Sequence, residues 1–163
     1  MKQTPPRRGA LALPAHAKLN LELAVLGVRA DGYHELRTRF QAISLHDLLL
    51  IEPAADTSLA GGRPDDLVLR ARSALERAAG RPLPARFRLV KRIPPGAGLA
   101  GGSADAAAAL RGLARLYELD LDLAPLAAEL GADVPFLLQG GAATACGRGE
   151  RTAPAPLDTG WYA

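Results

Sequence analysis

Residues 94 to 104 read PPGAGLAGGSA, and this stretch decides how the chain around it is to be read. Gly96, Gly98, Gly101 and Gly102 fall within seven residues, and an alanine-rich helix is expected from Ser103 to about Tyr117. Glycines let successive amides converge on one point and let an anion approach the backbone. The helix start adds unpaired N–H groups and the positive end of the helix dipole. The stretch has the make-up of a phosphate-binding loop. Its candidate binding residues are Pro94, Pro95, Gly96, Ala97, Gly98, Leu99, Ala100, Gly101, Gly102, Ser103 and Ala104. Two roles are open to Ser103: a plain helix cap, or a hydroxyl on phosphate or magnesium.

Gly96 to Gly101 also fits G-x-G-x-x-G, a pattern that does not choose among nucleotide sites by itself. A dinucleotide fold needs a parallel strand after the helix, ending in an acid that meets the ribose. Here Leu119-Asp120-Leu121-Asp122-Leu123-Ala124-Pro125 follows, too short and too interrupted for that strand. No H-R-D or D-F-G follows, as a protein kinase requires. No Gly-Lys-Ser/Thr closes a Walker-type loop.

Upstream, residues 19 to 25 alternate: Leu19, Leu21, Leu23 and Val25 against Asn20, Glu22 and Ala24. This predicts a half-buried strand. Ala30-Asp31-Gly32 is a turn. Thr38 to Ser44 and Leu48 to Ile51 read as two strands with a break at His46-Asp47, and Ala60 to Pro64 reads as a loop. Asp66 is placed to cap a helix ending near Ala79, with Gly80 as its stop. Phe87 to Lys91 is a strand feeding the glycine loop. Downstream, Asp122 opens a helix ending at Gly131. A shorter helix starts after Asp133 with Pro135 in its first turn and ends at Gly140-Gly141. Ala142 to Cys146 is a strand and Gly147 to Glu150 a turn. Strands come first and helices cluster later, which predicts an α+β fold.

The net charge of +3 hints at nucleic acid, but Lys2, Arg7 and Arg8 account for it; without them 17 basic residues balance 17 acidic ones. Residues 1–9 are expected to be a flexible basic tail, and no nucleic-acid partner is expected. Arg81, Arg86, Arg88, Lys91 and Arg92 have no acid between them, so positive potential is expected just before the loop. Three lysines stand against seventeen arginines. Lys18, inside an apolar strand, therefore marks a place where a compact ammonium is wanted. No run of 18 apolar residues spans a membrane, and no apolar stretch follows the first basic residues as in a secretory signal. The single cysteine, Cys146, allows no internal disulfide and suits a reducing cytoplasm. The three histidines and Cys146 have no metal-ligand spacing. Trp161-Tyr162-Ala163 looks like an opening strand that either folds back or continues in a longer protein.

PPGAGLAGGSADAAAAL resembles the central motif of the GHMP kinases. Two further stretches, PAHAKLNLELAVLGVRADGYHEL (residues 14 to 36) and LGADVPFLLQGGAATACGRGE (residues 130 to 150), are similar to one branch of that superfamily. That branch phosphorylates an alcohol of a cytidine diphosphate methylerythritol with ATP, on the non-mevalonate route to isoprenoids. The resemblance implies a ribosomal protein S5 domain 2-like fold over residues 10–155. It implies that residues 156–163 open a second domain absent from this chain, and hence weak nucleotide binding and very low turnover. It implies Asp133 as the base that accepts the substrate proton and Lys18 as the ammonium beside it. Asn20, on the same side of the strand as Lys18, and the Tyr33-His34 pair are implied to hold substrate, the tyrosine by stacking on cytidine. Asp133 as a helix cap and Lys18 as a snorkelling strand lysine remain the plain alternatives. Magnesium is implied to arrive with ATP, held largely by phosphate oxygens. Many members carry Gly and Ser where this chain has Ala100 and Ala104, so the loop is slightly narrowed and one hydroxyl is lost. Phe40 is expected in the core, with a place near the substrate pocket as the alternative. Two competing readings are a mevalonate- or homoserine-type GHMP kinase, against which Tyr33-His34 speaks, and a non-catalytic S5-like RNA-binding module, marked by salt-sensitive binding through residues 1 to 8.

Overall fold

The structure, a computed structural model, describes residues 9–28, 30, 32–147, 149 and 151–160. The basic tail up to Arg8, Asp31 of the expected turn, Arg148 and Glu150 of the second turn, and Trp161-Tyr162-Ala163 lie outside the described residues.

Two long strands organise the molecule. β1 (Leu11–Val28) runs antiparallel to β2 (His34–Pro53) along its whole length. The two strands expected between Thr38 and Ile51 are one: no break falls at His46-Asp47, which pair with His16 and Ala15, and a bulge lies just before them. His16 faces His46 and Lys18 faces Ala42, so Ile43, Ser44 and Leu45 of β2 face a single residue of β1. Extra residues on one strand bend it and sharpen its twist. The bend divides the other edge of β2 between two neighbours. Residues 48–53 pair with β4 (Ala85–Val90), and residues 36–41 pair with β5 (Ala142–Gly147). β3 (Ser58–Ala60) lies parallel to β4, and β6 (Arg151–Pro154) pairs with β5; neither strand was expected from the sequence. Beyond β6, Arg39 and the side-chain amide of Gln41 hold the backbone at Pro156 and Asp158.

Helices cover one face. α1 (Leu67–Ala79) starts where Asp66 accepts from the Val68 N–H and stops at left-handed Gly80, as expected. α2 (Gly101–Leu116) begins two residues before the expected Ser103. α3 (Ala124–Leu130) follows Asp122, whose carboxylate accepts from the Ala124 N–H, and α4 (Val134–Gln139) follows Asp133. The strand face under them is apolar: Ala85, Phe87 and Leu89 of β4 are buried while Arg86 and Arg88 are exposed. α2 is buried on nearly every side, from Ala104 to Leu110 and again at Gly112, Leu113 and Leu116. Its alanines and Gly112 permit that close approach. A Cβ at Gly112 would stand 2.4 Å from Ile51 Cδ1 and 3.0 Å from Leu13 Cδ1. Phe40 is in the core, as expected.

The half-buried reading of residues 19 to 25 fails at its far end. Leu23 and Val25 are 57% and 60% exposed. Further bulges between Asn20 and Glu22 and between Val25 and Gly27 interrupt the alternation. That part of the β1–β2 arm projects past the helices, which cover only its base.

Gly112→Val is expected to destabilise the fold by about 2 kcal/mol, because a branched side chain there overpacks the seam between α2 and the sheet. Urea unfolding followed by circular dichroism measures it.

Candidate active site

The chain leaves β4 at Val90, and its next amides have lost the sheet ladder. A buried polar group needs a partner, and Asp47 of β2 supplies one. Asp47 Oδ1 accepts from the N–H groups of Arg92 (2.5 Å) and Ile93 (2.8 Å), and Oδ2 accepts from Lys91 Nζ (2.5 Å). Lys91 Nζ also reaches Asp105 Oδ2 at 2.7 Å, in the second turn of α2. Both carboxylates are buried, at 0% and 1% exposure, while the lysine stem is partly exposed.

Between these anchors the glycine loop turns outward. Pro94 to Gly98 are exposed, and Gly96 and Gly98 take φ of 74° and 73°. The Leu99 carbonyl accepts from the Lys18 N–H at 3.2 Å, which ties the loop to β1 where β2 bulges away. Gly101 packs tightly: a Cβ would lie 3.0 Å from Ile93 Cγ2, 3.1 Å from Ile93 Cβ and 3.3 Å from Lys91 Nζ. The residue before α2 is Ala100, left-handed at φ 58°, with no side-chain cap. Ser103 is therefore inside the helix, not its cap, and its hydroxyl has no hydrogen-bond partner among the described residues. The Ala104 amide is used by Ala100 O at 2.9 Å and its side chain is buried. That leaves Gly101, Gly102 and Ser103 as the amides pointing out of the helix start.

Lys18, Asn20 and Asp133 come together beside the loop. Lys18 Nζ donates to Asn20 Oδ1 at 2.5 Å, stands 3.8 Å from Asp133 Oδ1 and lies 4.8 Å from the centre of the Phe40 ring. The cap alternative for Asp133 does not hold, because its side chain makes no cap hydrogen bond to α4. Burial pulls the Lys18 ammonium below its ordinary value, and Asp133 opposes that pull. Tyr33 and His34 are not brought to this pair. His34 opens β2 eight residues before Ala42, the cross-strand partner of Lys18, and Tyr33 is 57% exposed.

The positive patch expected before the loop is partly met by acids and a carbonyl from elsewhere in the chain. Arg86 pairs with Glu52 at 2.8 Å, Arg81 donates to Tyr117 O, and Lys91 sits between Asp47 and Asp105. Reading the sequence missed Asp47 and Asp105. The available signal was Asp105 itself, the one acid that interrupts the alanines from Ala104 to Ala109.

The charges of this cluster are uneven. Burial works to raise the Asp47 carboxyl, but Lys91 and the Arg92 and Ile93 amides pull it below the ordinary carboxylate value. Burial lifts Asp105 to about 7; Lys91 draws it down, while Asp47 and Asp66 push it up. Burial also lowers Lys91, but its hydrogen bonds to Asp105 and Asp47 leave it raised. One ammonium thus serves two buried carboxyls, and Asp47 has the larger set of donors.

With this geometry in view, the relatives are informative. Residues 66–141 match the model of the GHMP kinases N terminal domain. The mixed α+β fold of the chain, a six-stranded sheet with helices packed on it, agrees with that match. Among curated proteins it is 47% identical over 162 residues to the 4-diphosphocytidyl-2-C-methyl-D-erythritol kinase of Chromohalobacter salexigens, covering 93% of this chain and 54% of the relative. It is 50% identical over 145 residues to the kinase of the same name from Thermus thermophilus, covering 88% and 53%. A crystal structure of 4-(cytidine 5'-diphospho)-2C-methyl-D-erythritol kinase superposes with a TM-score of 0.82 at 48% identity, over 91% of this chain and 56% of the other. The chain spans about half the length of the curated relatives it matches.

Two outcomes follow from the loop geometry. Asp105 binds its proton more tightly folded (about 7) than unfolded (3.8), so its contribution to stability is full below the unfolded value and is lost as pH rises towards 7. Asp105→Asn is expected to remove that slope in denaturant titrations between these two pH values. Ala100→Gly relieves a left-handed alanine at some entropic cost in the unfolded chain, and is expected to stabilise by about 0.5 kcal/mol in urea unfolding.

Proposed function

We propose that this chain, through residues 10–155, is the nucleotide-binding part of an ATP-dependent kinase. The proposed reaction is phosphorylation of the methylerythritol hydroxyl of 4-diphosphocytidyl-2-C-methyl-D-erythritol, in the cytoplasm, on the non-mevalonate route to isoprenoids. The substrate class rests on the names of the relatives. The observation that carries the chemistry is the hydrogen bond from the Lys18 N–H to Leu99 O, which places an ammonium–carboxylate pair against a glycine loop. Residues 156–163 are proposed to lead into a further domain.

The reaction needs positioning and charge neutralisation more than covalent help from the protein. The Gly101, Gly102 and Ser103 amides and the positive end of α2 hold the terminal phosphates of ATP. The acceptor hydroxyl oxygen bonds to the γ-phosphorus and its proton passes to the Asp133 carboxylate. The bond from that phosphorus to the bridging oxygen breaks, and ADP leaves. The Lys18 ammonium faces the charge that gathers on the transferred oxygens. Asn20 orients Lys18 through Oδ1, which leaves its amide N–H groups for the acceptor. Tyr33 and His34, on the arm, take the cytidine end of an extended substrate.

Magnesium carried with ATP fits this site as a phosphate-held ion. Among the described residues no group of three or more His, Cys, Asp or Glu forms a cation cage. The spare Ser103 hydroxyl and the Asp133 carboxylate are the oxygen donors at hand. When bound, the ion supplies neutralisation of phosphate charge.

Calorimetric titration with ATP is expected to show saturable binding, weakened at least about tenfold by Gly101→Val, whose branched side chain would crowd Ile93 and Lys91. In the full-length protein, with the cytidine substrate in an ADP-coupled assay, Asp133→Asn is expected to lower kcat by about 10²-fold or more, the usual contribution of a positioned base. Undiminished turnover in that variant would sink the base assignment. Mevalonate and homoserine are the control acceptors.

A further inference from the structure

We propose that the Asp47–Lys91–Asp105 cluster holds the glycine loop in its nucleotide-binding shape, with Asp47 and Lys91 acting as positioning residues for ATP. The proposal rests on the reading of the loop as a nucleotide site.

The loop leaves β4 at one end and enters α2 at the other, and glycine favours no particular path between them. Three ties set the path. At the entrance, Asp47 Oδ1 holds the Arg92 and Ile93 amides. At the exit, Lys91 Nζ bridges Asp47 Oδ2 to Asp105 Oδ2, so one buried carboxylate on β2 governs both ends. In the middle, Leu99 O is held by β1. The bridge also sets the spacing at Gly101, whose missing Cβ would lie 3.3 Å from Lys91 Nζ. Asp105 Oδ1 is buried without a hydrogen-bond partner, so Lys91 is the donor that holds this carboxyl in place. Asp66, at the start of α1, is the other charged group that acts on Asp105. None of the three cluster residues makes a hydrogen bond to Lys18, Asn20 or Asp133 among the described residues, so the cluster acts on the loop and not on the reacting centre.

The test compares the unaltered chain with Lys91→Met, Lys91→Arg and Asp47→Asn. Hydrogen exchange resolved over residues 92–103 reads the loop without nucleotide, and calorimetry with ATP reads its function. Lys91→Met is expected to speed loop exchange and weaken ATP binding, each about tenfold, the size of a lost charged hydrogen bond. Exchange in α1 and β5 is expected to stay as it was. Lys91→Arg, which keeps a cation able to reach both carboxylates, is expected to restore most of both. If Asp47→Asn does not fold, Lys91→Met still decides, because its side chain is partly exposed. Unchanged loop exchange in a folded Lys91→Met overturns the proposal. So does faster exchange with unaltered ATP affinity, which would make the cluster a fold element alone. Where the unaltered chain binds ATP too weakly to titrate, the calorimetry is run on the full-length protein; if that binds no ATP, the kinase reading fails, and exchange in Lys91→Met still shows whether the cluster shapes the loop.

Discussion

A carboxylate with no solvent exposure has to be met by donors or it destabilises the fold that buries it. Asp47 meets this constraint by gathering two backbone amides and one ammonium from a segment more than forty residues away. That gathering decides where the chain goes after β4. Without it, Arg92 and Ile93 would leave the sheet with unpaired amides, and the loop would have no fixed point of departure. Lys91 extends the same anchor to α2, so strand, loop and helix share one buried charge cluster.

The second requirement is close packing of α2. A helix carrying bulky residues on all sides could not lie between α1, α4 and the sheet at this distance. Alanines from Ala106 to Ala109, with Gly112, let it descend onto Ile51 and Leu13. Its buried position aims its N-terminus at the cleft, where the last glycines of the loop present amides. The apolar surface removed from water is the main force holding this layer, and the site inherits its rigidity.

The bulge in β2 links the two halves of the site. Next to the bulge at Ile43, Ser44 and Leu45, Lys18 stays paired with Ala42 while its N–H donates to Leu99 O. The same bend lets β2 serve β4 on one side of the bulge and β5 on the other, and β5 follows directly from the segment that carries Asp133. One irregularity thus brings the lysine strand, the glycine loop and the acid of α4 to one place. The far end of the arm, past Asn20, has no helix above it, which is why Leu23 and Val25 remain exposed despite their apolar alternation.

Local chemistry written in neighbouring residues was readable without coordinates. Asp66 and Gly80 bounded α1, the alanine run made α2, the glycines marked the loop, and the parity of Lys18 and Asn20 put them on one side. Motifs far apart in the chain pointed to one site because they resemble a family that joins them. What depended on distant partners was not readable. Five basic residues with no acid between them looked like a positive patch, yet Glu52, Asp47 and Asp105 arrive from other elements and neutralise part of it. Ser103 could be read as a cap or as a phosphate-binding hydroxyl, and the cap is ruled out because the chain turned through left-handed Ala100 and began the helix earlier. A strand break was expected at His46-Asp47, but both residues stay paired with β1, and the irregularity is a bulge just before them, at Ile43 to Leu45. Side-chain type and spacing fix which local structures are favourable. Which carboxylate meets which amine, and what covers a strand, depends on the packing of elements that the linear order keeps apart.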